Sequence, residues 1–170
     1  MEFLKIVVFC VLAAIGYGIL HDQITAHLCV EYFTIGHPPV FPTQSPFWLA
    51  IGWGIIATWW VGLPLGVLLA AAARWGSRAK RSLSDVRPLI VGLLIVMAAC
   101  AGIAGLVGAK LAIDGLIALP GSLARAIPTD RHVAFLADWW AHSASYLVGA
   151  VGGLVVIFYV GVRRLAFKDA

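Results

Sequence analysis

Five histidines carry most of the chemistry open to this chain: His21, His27, His37, His132 and His142. Two of them stand at helical spacing from carboxylates. Gln23, His27 and Glu31 follow at intervals of four residues, so on a helix they share one face. Asp138 and His142 repeat that interval, with Tyr146 one turn further on. If the two faces point at each other, His27, Glu31, Asp138 and His142 surround one ion. Imidazole nitrogen and carboxylate oxygen suit zinc, iron or manganese. Helical bundles build metal sites this way, from side chains on facing helices. Gln23, His21, His132 and Tyr146 are then the candidates for hydrogen bonds to the ligands. HExxH and CxxC are both absent, so the expectation rests on spacing and not on a metal signature. The plainer alternative is that these groups are hydrated or pair with one another at a membrane surface, where charge is less costly than in hydrocarbon.

The same residues admit a b-type haem. His27 and His142 would be its axial ligands, flanked by Tyr32, Phe33, Trp139 and Trp140. Glu31 and Asp138 make that slot acidic, which counts against it. Ser143 and Ser145 flank His142, but no nucleophile elbow accompanies them, and they read as small packing residues. Lys110 and Asp114 read as an interfacial ion pair. Cys10, Cys29 and Cys100 are odd in number and scattered, so they give no disulfide framework. Only Cys29 approaches a water-exposed face.

These groups need elements to position them. Of the 170 residues, 62% are hydrophobic and only 12% are charged. A soluble domain has about 25% charged residues, so the missing polar surface implies lipid around the chain. Uncharged runs extend over Ile6–Leu20, Pro46–Ala73, Pro88–Ala109 and Ser143–Val162. A helix crosses the hydrocarbon core in about 20 residues, and backbone in lipid must satisfy itself. The reading is therefore an all-α, four-helix transmembrane bundle in a single domain over residues 1–170. Its helices are expected at about 4–33, 46–73, 88–113 and 132–163.

The first run is short and somewhat like a signal peptide, with Lys5, an apolar stretch, then Ala13, Ala14 and Gly16. No clean cleavage site follows, and the helical pattern continues through Ile24, Leu28 and Tyr32. A retained helix, extended past the membrane, is the preferred reading. Arg74, Arg78, Lys80, Arg81 and Arg87 crowd one loop, and Arg163, Arg164 and Lys168 the tail. The positive-inside rule puts both in the cytoplasm, and with them both termini. All five histidines then fall on the opposite side. The net charge of +4 belongs to these segments and not to a nucleic-acid surface.

Prolines mark the ends. His37-Pro38-Pro39 closes the first pattern, Pro46 opens the second helix, and Pro88 fits the first turn of the third after Ser84 or Asp85. Pro64 should kink the second helix. Trp48, Trp53, Trp75, Trp139 and Trp140 lie where aromatic belts form, while Trp59 and Trp60 should pack mid-span against other helices. Small residues recur every fourth position: Thr58, Gly62, Gly66; Ala101, Gly105, Ala109; Gly149, Gly153. Such stripes let helices approach closely in lipid. They build the bundle, or, at Gly149 and Gly153, a homo-oligomer seam.

The segments HDQITAHLCVEYFTIGHPP (His21 to Pro39) and RHVAFLADWWAHSASYLVGAVGG (Arg131 to Gly153) resemble a family of small bacterial four-helix inner-membrane proteins. They cover about a quarter of the chain. The resemblance implies a bacterial inner-membrane location and carries no mechanism. The leading functional expectation is thus a metal-binding membrane protein with its site at the extracytoplasmic end. An accessory or scaffold subunit of a membrane complex is the second expectation, from the small-residue stripes. A small solute or proton transporter is the third, weakened by the lack of polar groups in the inner halves of the helices. A redox or hydrolytic role would need an open coordination position, which sequence does not show.

Overall fold

The computed structural model describes residues 1–166, which are helical with no strand among them. Lys168, counted above with the basic tail, lies outside them. Four helical stretches are long and apolar enough to cross a membrane: Glu2–Leu28, Pro46–Arg74, Leu83–Ile113 and Thr129–Arg164.

Helix α1 covers Glu2–Leu28. It was expected to run on to residue 33, but it stops at Cys29, whose backbone is extended at φ −147° and ψ 90°. A short α2, Val30–Thr34, follows. The break is tolerated because the freed Leu28 carbonyl accepts a 2.7 Å hydrogen bond from Arg131 Nη2. Cys29 itself is fully buried and not at an exposed face. Burial pushes its thiol up to about 12, so no nucleophile is available there.

The second span is also interrupted. Helix α3 is Pro46–Ile56, with Pro46 in its first turn, and α4 is Trp59–Arg74. The irregularity lies at Ala57 and Thr58, upstream of Pro64. There the Thr58 hydroxyl donates to the Gly54 carbonyl at 2.5 Å and takes up an acceptor that the broken ladder leaves free. Trp59 and Trp60 were expected to pack inward. They are exposed on the bundle surface instead, where lipid can cover them.

Helix α5 is Leu83–Ile113. It begins before the expected position because Ser82 and Asp85 form a capping box, with Ser82 N–H donating to Asp85 Oδ2 at 2.7 Å. Pro88 consequently lies inside the helix. Lys110 and Asp114 form the expected ion pair at its far end. After α6 (Gly121–Ala126) and a 3₁₀ turn (Thr129–Arg131), α7 runs over His132–Ala166.

Glycine governs how close these helices come. A Cβ on Gly54 would lie 2.5 Å from the Ile19 backbone nitrogen, so α3 and α1 touch backbone to backbone. Gly54→Val should force them apart and lower stability by roughly 1–3 kcal/mol; the thermal melt of the detergent-solubilised protein measures it. Gly149 faces Met97 and Gly153 faces Leu65. Both positions of the supposed oligomer seam therefore serve packing within the chain.

The two ends of the bundle differ. Glu2, Lys5, Arg74, Arg81 and Arg164 occupy one end, where Glu2 accepts from Leu83 N–H and Arg74 donates to the Arg81 carbonyl. The five histidines gather at the other.

Candidate metal centre

Helices α1 and α7 are antiparallel at the histidine end. Tyr17 OH and Ser145 Oγ lie 2.8 Å apart. Further along α1, and one turn back along α7, Asp22 Oδ1 lies 3.2 Å from His142 Nε2. His21 sits beside them, its ring meeting that of His142 edge-on with centroids 4.5 Å apart. One ligand atom from each of His21, Asp22 and His142 falls within 4.8 Å of the others. Asp22 and His142 are buried, at 6% and 7% exposure.

The neighbours of His142 place the proton on its ring. Its Nδ1 lies 2.8 Å from the Asp138 backbone carbonyl. A carbonyl only accepts, so Nδ1 carries the hydrogen. A neutral ring then presents the Nε2 lone pair to the Asp22 carboxylate. Two lone pairs at that distance need a positive centre between them, a proton or a metal ion. Metal–nitrogen and metal–oxygen bonds of about 2.0–2.2 Å in tetrahedral array put neighbouring ligand atoms about 3.3 Å apart. The observed 3.2 Å fits. A histidine donating its second nitrogen to a carbonyl is also the usual support for a metal ligand.

Aromatic rings close the site. Tyr32, from α2, stacks on His142 with centroids 4.5 Å apart, and Tyr17 stacks on His21 at 5.7 Å. Burial raises the Tyr32 hydroxyl above its ordinary range, in keeping with a water-poor roof. Beneath the group, a cavity of about 130 Å³ runs into the bundle, lined by apolar side chains such as Cys10, Leu65 and Met97.

The structure distributes the sequence candidates unevenly. His142 is in the group. Asp138 is one turn away, fully buried, with neither carboxylate oxygen hydrogen-bonded. Glu31 instead accepts from Arg131 Nε at 3.1 Å and from the Cys29 thiol. His27 is exposed, its Nδ1 donating to the Gln23 carbonyl at 2.7 Å. His27 and Glu31 are thus not part of the group. Gln23 binds the Phe47 carbonyl and His132 the Ile127 carbonyl, while Tyr146 borders the inner cavity. His21, expected only as a supporting residue, supplies a donor atom.

Asp22 was not anticipated. A signal was present: it is an acid within a long uncharged stretch, and helical spacing puts it with Gly18, Thr25 and Ala26, which are all buried. Small residues on that stripe mark the face α1 turns inward. The Gln23–His27–Glu31 stripe is a different face.

The Arg131–Glu31 pair holds α2 and its roofing Tyr32 to the start of α7. Burial pushes the Glu31 carboxyl up, but a backbone amide and the Arg131 guanidinium outweigh it, leaving it below the usual glutamate value of 4.5. A lowered carboxylate contributes stability above its unfolded value and loses it as the pH falls through the folded one. The difference in melting temperature between the wild type and Glu31→Gln should therefore be constant above about pH 5 and shrink steadily below it.

No family model matches the chain, and neither a curated protein nor a solved structure matches it.

Proposed function

We propose that this chain is an integral membrane protein that holds a divalent transition metal through His21, Asp22 and His142. The bundle would stand with both termini in the cytoplasm and the metal near the extracytoplasmic surface of a bacterial inner membrane. One observation carries the reading. The Nε2 atom of His21 is buried without a hydrogen-bond partner, beside a His142–Asp22 contact that already needs a positive centre. A proton would serve only the Asp22–His142 contact. A metal ion would satisfy all three.

Depth supports this reading. With Lys5 at one hydrocarbon boundary, His21 lies roughly 24 Å along the helix, inside a core about 30 Å thick. Ionisable groups at such depth usually face a partner or a functional cavity. Two imidazoles and one carboxylate are a ligand set that zinc, iron(II) and manganese(II) accept. Three protein ligands leave a position for water or substrate, the pattern of catalytic rather than structural sites. A b-type haem on His27 and His142 has less support, since one ring is exposed and the other buried. A solute path has less support too, because the cavity below the group is apolar.

Metal analysis of the protein purified in detergent tests the reading, with zinc, iron(II) and manganese(II) offered in turn. About one ion per chain is expected, with no Soret band. Folded protein that takes up none of the three would overturn it.

A further inference from the structure

A second space opens on the flank of the bundle. It is a groove of about 1030 Å³ between α1, α5 and α7. This volume reaches the upper end of the range for small-molecule sites, about 300–1,000 Å³. Along α5 it extends from Val91 to Ala109, roughly 27 Å at the helical rise. The groove is therefore nearly as long as the hydrocarbon core is thick. Small side chains keep it open, among them Ala13 and Gly16 on α1 and Ala98 and Gly102 on α5. Its polar groups, Tyr17, His21, Thr25, Asp130 and Asp138, lie toward one end.

Asp138 is the informative residue. Its side chain is 0% exposed, lines this groove, and has no hydrogen-bond partner on either oxygen. A buried carboxyl without a partner is costly in any protonation state. Like His21 Nε2 at the same end of the groove, it is a buried polar group left without a partner. The shape admits a long apolar chain from the bilayer, with its head at the histidine end. A hydroxyl suits Asp138 in either state, since it donates to a carboxylate and accepts from a carboxylic acid. An anionic phosphate head would find no lysine or arginine among the residues that line the groove, and Asp130 stands at its polar end.

We propose that the α1–α5–α7 groove binds an uncharged, hydroxyl-bearing lipid, with its chain along α5 and its hydroxyl on Asp138. His21 and Tyr17 line both this groove and the inner cavity below the histidine–aspartate group. The lipid head therefore lies beside that group. That it is the substrate of the metal rests on the preceding reading; its binding does not.

Native mass spectrometry with 1,2-dioleoylglycerol as probe tests the binding. Wild type should take about one molecule per chain in the presence of excess phosphatidylglycerol or phosphatidylethanolamine. Asp138→Leu, which keeps the bulk but offers no polar atom, should weaken this about tenfold or more, as loss of a buried hydrogen bond does. Gly102→Trp should block the chain. Nothing lies within 4 Å of a Cβ at Gly102, so folding need not suffer, and Val151→Trp on the exposed face of α7 is the matched control. Metal content should be unchanged in all three variants. His142→Ala, which lies outside the groove, should lose the metal and keep the lipid, so the two readings fail separately. Equal binding of phosphatidylglycerol or phosphatidylethanolamine, or undiminished binding by both Asp138→Leu and Gly102→Trp, would overturn the proposal.

Discussion

His142→Ala is expected to reduce bound metal from about one ion per chain to none under conditions that load the wild type. Changing a residue that merely supports a ligand costs about 10–100-fold in affinity, so losing a ligand should exceed a hundredfold. His21→Ala and Asp22→Asn should fall in the same class, because each removes one of three donors within 4.8 Å of one another. His27→Ala and Glu31→Gln should keep the metal. His27 is exposed and Glu31 is engaged by Arg131. This contrast decides between the group seen in the fold and the His27–Glu31–Asp138–His142 set expected from spacing. Retention in His142→Ala, or loss in His27→Ala, would remove the assignment. The variants should stay folded, since the core clusters at the two ends are built from other residues, such as Ile6, Leu69 and Val86 at one and Phe135 and Leu136 at the other.

The largest expected loss of stability is at the other end, in Arg164→Ala. This guanidinium is 5% exposed. It donates from Nη1 to the Ala72 carbonyl at 2.6 Å, from Nε to Ala79 at 2.8 Å and from Nη2 to Trp75 at 3.0 Å. Ala72 lies in the last turn of α4, where carbonyls have no partner within the helix. Arginine thus closes the C-terminal end of α4 and fixes the following loop onto α7. Removing it leaves several acceptors unpaired, at a cost of roughly 2–4 kcal/mol after partial rescue by water. The melting temperature should fall by roughly 5–15 °C, taking a few degrees per kcal/mol for a chain of this size. Arg164→Lys should rescue little, since an ammonium cannot reproduce the planar fork that reaches separate carbonyls. A melt unchanged in both variants would show these contacts to be dispensable. Metal content should not change, as the site lies at the opposite end.

Arg164 also shows how one residue can be read at two levels. As a charge after an apolar run it signals topology, and its sequence position suffices for that. Its burial and its carbonyl partners depend on where the loop after α4 folds back. Asp138 is similar. Its spacing from His142 put both on one face of α7, and both are buried there. The spacing could not say that the neighbouring helix would offer Asp22 to one and leave the other unpaired.

Composition and hydropathy alone determined the four long apolar helices, because the cost of unpaired backbone in lipid leaves helices as the available structure. The one-ended placement of the histidines follows from counting spans and needs no packing detail. Helical periodicity also fixed which residues share a face on each helix. It could not fix how each helix is rotated about its axis relative to its neighbours. That rotation was decided by close approach at Gly18 and Gly54, which turns Asp22 inward and His27 outward. The breaks at Cys29 and Thr58 were likewise settled by the fold. Each depends on a polar group that reaches a freed carbonyl, Arg131 from a distant part of the chain and the Thr58 hydroxyl within its own turn.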